Sequence, residues 1–156
     1  LNPPAVGGDE PVSLYARMNE LAASVPPGAE GLRCDPFFAG TRSDPERRAA
    51  WSGVSTDNFT PAHLTRALLE GMARAFREGH DRIARLSGVG GWERLVGAGN
   101  GIRQNRVLAG IIAEEFGAPL LIPRHQEEAA YGAALVAAFG AGLFPDLPAA
   151  GRLVRY

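Results

Sequence analysis

Apolar positions recur with helical spacing in four stretches of the chain and gather into short runs elsewhere. Pro11 to Ser24 read as a helix: Val12, Tyr15, Met18 and Ala22 form one stripe, and Asp9 and Glu10 suit its positive end. VPPGAEG ends that helix. LRCDPFFAGTR reads as a short extended segment in which Pro36 argues against a central strand, and polar, turn-rich sequence follows to Asn58. Thr60-Pro61 opens the clearest helix, since threonine is a good N-cap and proline is tolerated at the first helical position. Leu64, Leu68, Met72, Ala75 with Phe76, Ile83 and Leu86 keep the spacing over roughly 26 residues. Gly88 can terminate it. A helix of this length should lie across the core.

From Trp92 the pattern changes. WERLVGA reads as a strand, and a glycine turn follows. One further helix then carries Val107, Leu108, Ile111, Ile112 and Phe116 inward and is closed by Gly117 and Pro119. PLLIP is a short buried strand, and EEAAYGAALVAAFGAG is a helix with acids in its first turn. Strand, turn, helix, strand and helix within about 50 residues form a parallel α/β unit.

The turn in VGAGNGIRQNRVLAG, residues 96–110, admits two readings. Unpaired amides leading into a helix N-terminus make an anion site, and glycine lets a phosphate approach the backbone closely. Gly97, Gly99 and Gly101 equally suit a plain strand-to-helix corner that needs positive φ. A dinucleotide fingerprint fits poorly, because its third glycine falls on Ile102 or Gln104.

Composition narrows the chemistry. The chain has 156 residues, 46% apolar and 21% charged, with a net charge of −1, which gives no basic footprint for nucleic acid and no polybasic membrane patch. The longest apolar stretch, YGAALVAAFGAGLF, has about 14 residues, short of the roughly 20 that span a bilayer, so a cytoplasmic protein is expected. All 16 basic residues are arginine, which excludes a Walker A lysine, a protein-kinase strand lysine and a Schiff-base lysine within this chain. Cys34 is the single cysteine and His63, His80 and His125 stand far apart, so neither an internal disulfide nor a Cys/His metal cluster is expected.

The acids offer little catalysis. Asp44 and Glu46 in GTRSDPERR can be read as acid/base groups or as solvated partners of nearby arginines. Arg42 can brace its turn or approach a cleft. Glu127 and Glu128 invite a metal reading, but at a helix start they complement the dipole. Gly132, with Ala133 and Ala134, suits close helix–sheet packing, with adenine contact secondary.

Several motifs occur together in one order: an F-x-G-x-R turn in FFAGTR, an H-L-x-R-A-x-x-E-G helix in HLTRALLEG, the turn GNGIRQNRVL, and A-x-G-A-A in AYGAA. Over roughly residues 11–142 the chain resembles the C-terminal lobe of the FGGY carbohydrate kinases, and within them the sedoheptulokinase branch. The resemblance implies an α/β, actin-like ATPase lobe (ribonuclease-H-like) with a mixed sheet packed by helices, here incomplete at its N-terminal end. It implies transfer of the ATP γ-phosphoryl to a ketose hydroxyl with Mg²⁺, sedoheptulose becoming its 7-phosphate, with xylulose or glycerol as alternatives. A non-catalytic actin-like binding module is the competing class. Residue by residue, the resemblance places Gly99, Asn100 and Gly101 where backbone approaches the nucleotide phosphate and Asn105 near the adenine. Asn100 departs from the family's glycine pair, although asparagine tolerates left-handed backbone. The catalytic carboxylate, the sugar pocket and the metal ligands are implied to lie in an N-terminal lobe of the same protein. This stretch alone is then expected to be inactive.

Overall fold

The structure, a computed structural model, describes residues 13–89 and 91–156. Its organising element is a 27-residue helix, Pro61–Ser87, which is the second in chain order (α2). The extended backbone of Thr60 starts it, with the hydroxyl accepting from the His63 amide, and Gly88 ends it in the left-handed region at φ 67°. Both ends therefore fall where capping chemistry places them.

α1 (Leu14–Ala23) and α4 (Arg106–Phe116) pack on one side of α2. Ala22, Leu69, Ala73, Leu108, Ile111, Ile112 and Phe116 form the larger core cluster there. Towards the N-terminal half of α2, β1 (Arg33–Asp35) pairs antiparallel with β2 (Ala50–Ser52), Cys34 opposite Trp51. Val25, Ala29, Leu32, Cys34 and Ala67 make a second cluster. Gly71 is what lets β1 reach the helix, because a Cβ there would stand 2.4 Å from the Cys34 carbonyl oxygen.

A second sheet holds β3 (Leu95–Val96) parallel to β4 (Leu120–Leu121). The connection between them runs through α3 (Asn100–Gln104) and α4, as the parallel reading requires. α5 (Glu128–Gly140) and α6 (Leu147–Gly151) close the chain.

Four expectations need correction. The first helix starts at Leu14, capped by the Ser13 hydroxyl; Asp9, Glu10, Pro11 and Val12 lie outside the described residues. Its Tyr15 is exposed rather than on a buried stripe, because α2 and α4 cover only the side carrying Ala22. The later apolar positions of α2 are exposed as well: Phe76 at 51%, Ile83 at 67% and Leu86 at 80%. The two-residue strands are too short to cover that end, and Phe76, Ile83 and Val96 border an open apolar groove. Finally, no residue of α5 is buried and a Cβ at Gly132 would meet nothing, so the tight packing expected of Gly132, Ala133 and Ala134 is not made by the described residues.

Candidate functional site

The glycine turn leaves β3 and delivers the chain into α3, and its three glycines have three different environments. A Cβ on Gly97 would sit 3.1 Å from the side chains of Ile102 and Leu120, so that position serves the packing of β3 on its neighbours. Gly99 has φ +95°, a backbone conformation that L residues rarely adopt. Gly101 has neither constraint: its φ is not positive, and a Cβ there would meet nothing within 4 Å. The corner reading accounts for Gly97 and Gly99 and leaves Gly101 without a packing reason.

The helix behind the turn is not continuous. The expected single helix breaks at Asn105, at φ −113° and ψ 88°, into five-residue α3 and eleven-residue α4. The dipole behind the glycines is therefore that of a single short segment, and an anion there would depend on amides at close range. As first residues of α3, Asn100 and Gly101 have no intrahelical acceptor, and no side chain caps the helix.

Asn105 is heavily committed. Its Oδ1 accepts from the Leu108 amide at 2.9 Å and so caps α4, while its Nδ2 donates to Asn19 Oδ1 at 2.9 Å. The residue borders a cleft, but both ends of its carboxamide are already bonded.

That cleft, of about 510 Å³, opens between α1, α2 and the α3–α4 segment. Asn100, Gly101, Gln104 and Asn105 form one wall, and Met18 and Met72 contribute apolar surface to the others. A mostly apolar concavity with a few polar groups on one wall is the usual character of a small-molecule site. Gly99 does not line this cleft.

Glu128 is the acid at the start of α5. Arg103 Nη2 donates to its Oε1 and to the carbonyls of Pro123 and His125, both at 2.8 Å. The Arg103 bond, followed by the backbone amides of Glu128 itself and Gly99, holds the carboxyl below the ordinary glutamate range. Glu128 therefore pairs with a side chain 25 residues away as well as facing a helix dipole. Arg103 had no distinguishing mark in the sequence beyond its place one helical turn after the glycines.

The remaining candidates are structural. Asp44 Oδ1 accepts from the amides of Glu46 and Arg47, which makes it the organiser of its own turn, and Glu46 pairs on the surface with Arg48 at 3.6 Å. Arg42 is exposed; the brace expected of it is supplied by Arg47, which grips Asp35 with two nitrogens and lies 3.8 Å over the Phe37 ring. His63 hydrogen-bonds Thr60 at 2.7 Å and reaches Glu30 at 3.3 Å. Among the described residues, no group of three or more His, Cys, Asp or Glu is placed to hold a metal ion.

Residues 6–141 match the C-terminal domain of the FGGY family of carbohydrate kinases. The chain belongs to this family. It is 37% identical over 156 residues to a glycerol kinase of Thermus brockianus, covering 95% of this chain and 31% of that protein. The crystal structure of a xylulose kinase from Rhodospirillum rubrum superposes with a TM-score of 0.73 at 38% identity, over 90% of this chain and 28% of that one. A Plasmodium falciparum glycerol kinase solved with ADP, at 20% identity and TM-score 0.70, shares the fold over 85% of this chain and 26% of its own. The chain thus spans less than a third of each of these FGGY kinases. Its mixed helices and sheets are part of the C-terminal lobe of their actin-like fold, and the kinases of the family are ATP-dependent enzymes acting on sugars and related polyols. No described helix is long and apolar enough to cross a membrane.

Proposed function

We propose that this lobe binds the nucleotide of an ATP-dependent carbohydrate kinase in the cleft between α1, α2 and α3–α4. The observation that carries the reading is Gly101: it lacks a Cβ where protein packing makes no demand for its absence, and it lies on the cleft wall beside Asn100. Membership of the FGGY family and the ADP in the P. falciparum relative support it.

In this reading the amides of Asn100 and Gly101 approach the phosphates, Gly99 supplies the turn geometry, and the apolar surface of Met18 and Met72 receives the base. Asn105 acts by fixing the break between α3 and α4, with its carboxamide spent on Leu108 and Asn19. The lobe's contribution to phosphoryl transfer is positioning, which in this chemistry is a large share of catalysis together with charge stabilisation. The Mg²⁺ that accompanies ATP neutralises phosphate charge, and its protein ligands belong to the N-terminal lobe of the same protein, together with the base and the sugar pocket.

The acceptor we favour is sedoheptulose, phosphorylated at its 7-hydroxyl, on the turn GNGIRQNRVL. A pentulose or glycerol is the second reading, favoured by the identity to glycerol kinase and xylulose kinase.

Equilibrium titration of the full-length protein with ADP tests the site. Gly101→Val projects its side chain into open space, so the fold is expected to survive while affinity falls by on the order of tenfold or more. Undiminished affinity would remove the turn from the site. Initial rates with sedoheptulose, xylulose and glycerol test the acceptor; a pentulose preference would replace the heptulose assignment.

A further inference from the structure

Arginines gather around residues 152–156. Arg94, Arg152 and Arg155 line a concavity of about 670 Å³ together with Tyr156, and no carboxylate side chain lines it. Arg124 adjoins them, its Nε donating to the Tyr156 carbonyl at 3.2 Å. Among the described residues, none of these guanidiniums pairs with an acid, whereas those of Arg47, Arg66 and Arg77 do. The dipole at the end of α6 favours Arg152 but gives no reason for Arg94 or Arg155, which lie outside its last turn.

The segment that carries Arg152 and Arg155 is held in place. The Arg124 amide donates to the Arg155 carbonyl at 2.8 Å, and Tyr131 Oη on α5 donates to the Leu153 carbonyl at 3.3 Å. Arg94 meets the same segment from the approach to β3, its guanidinium 5.7 Å from the centroid of the Tyr156 ring. Like charges gathered without counter-charges repel one another, and an anion in the concavity would turn that repulsion into attraction.

We propose that this concavity binds a small soluble ligand carrying a diphosphate group. Charge, geometry and shape select that class. A phosphate group carries about −1.5 to −2 near neutral pH, so a pair of them matches the charge of the clustered guanidiniums. Each guanidinium presents a rigid fork of N–H donors that fits phosphate oxygens bidentately. The surface is concave and has the volume usual for a small-molecule site, which suits neither a flat membrane nor an extended nucleic acid. Its lining residues are absent from the cleft between α1, α2 and α3–α4, so the proposal does not rest on the nucleotide reading.

Calorimetric titration of the full-length protein with inorganic pyrophosphate, at one fixed low ionic strength, is the test. Arg152→Gln/Arg155→Gln is expected to raise the dissociation constant by about tenfold or more, and Arg94→Gln, on a separate segment, by about threefold or more. The substituted residues are exposed, so the fold is expected to survive, and Arg124 is left intact because it holds the segment. Arg82→Gln/Arg85→Gln removes the same charge from the exposed end of α2 and is expected to change the constant by less than about twofold. An equal loss in that control would reveal a general charge effect and overturn the proposal. Pyrophosphate binding indifferent to Arg94, Arg152 and Arg155, or no saturable binding, would overturn it as well. So would binding of phosphatidylserine vesicles or RNA by these arginines that pyrophosphate does not compete away.

Discussion

Asn105 Nδ2 and Asn19 Oδ1 meet at 2.9 Å across 86 positions of sequence, and this contact joins α1 to the start of α4 at the edge of the cleft. The other end of the Asn105 carboxamide caps α4 through the Leu108 amide. One side chain therefore sets both where α4 begins and how α1 stands against it. Asn105→Ala is expected to destabilise the lobe by about 1–2 kcal/mol through loss of the cap. Asn19→Ala should cost less, and the pair should be non-additive in a double-mutant cycle followed by urea unfolding. Strict additivity would show that the two residues act separately.

A buried charge pair sits on the opposite side of α2. Glu70 Oε1 accepts from Arg66 Nε at 2.6 Å and from the Gly28 amide at 2.9 Å, with side chains only 10% and 9% exposed. Glu70→Ala would leave the Arg66 guanidinium buried and the Gly28 amide without its partner. A loss of about 3–5 kcal/mol is expected, seen as a lowered thermal midpoint. A shift of under a degree would show that water replaces the carboxylate without penalty.

Gly71 sets the separation of β1 from α2. A methyl group there would come within 2.4 Å of the Cys34 carbonyl, a backbone atom that cannot swing away. Although alanine is the better helix former, Gly71→Ala is expected to destabilise by about 1–3 kcal/mol. A stabilised variant would mean that β1 shifts freely.

Acid should loosen the lobe at two ion pairs. Glu128 is held below its ordinary range chiefly by Arg103, and Asp81 chiefly by the His80 hydrogen bond and then by Arg77. A carboxylate whose folded-state pKa is depressed contributes stability that is fully present above its unfolded pKa and is lost as pH falls through the folded one. Thermal midpoints should therefore decline on acidification through and below the ordinary carboxylate range. Glu128→Gln should flatten that decline; an unchanged slope would show that the Arg103 pair contributes nothing to it.

Cys34 is buried on β1, and burial, reinforced by the neighbouring Asp35 charge and only partly opposed by Arg74, pushes its thiol above the ordinary value. The thiolate is the reactive form. Alkylation by iodoacetamide at neutral pH should be slow in the folded protein and rapid in denaturant. Fast labelling of the native state would contradict this burial.

Which parts were legible in the sequence follows from the range of the interactions that fix them. The ends of α2 were readable because Thr60, Pro61 and Gly88 act within one turn of their own backbone. The parallel pairing of β3 with β4 across an intervening helical segment was readable from the order of patterns alone. The break at Asn105 was hidden, because the apolar spacing that continues through α4 masks a cap in its midst. β2 was hidden too: Ala50–Ser52 carries no alternation and is a strand through its pairing with β1.

The sequence by itself determined the long helix α2 with its caps, the glycine turn and the family whose motifs surround it, because these depend on neighbours in the chain. Only the tertiary structure decided that Gly101 is spared packing, that Asn105 is spent on Asn19 and Leu108, and that Arg103 answers Glu128 beside the turn. The Arg103–Glu128 and Asn105–Asn19 contacts depend on groups 25 and 86 residues apart coming within hydrogen-bond reach. Distances of that kind are set by how α1, α2 and α4 pack, a global condition that no local spacing of residue types encodes.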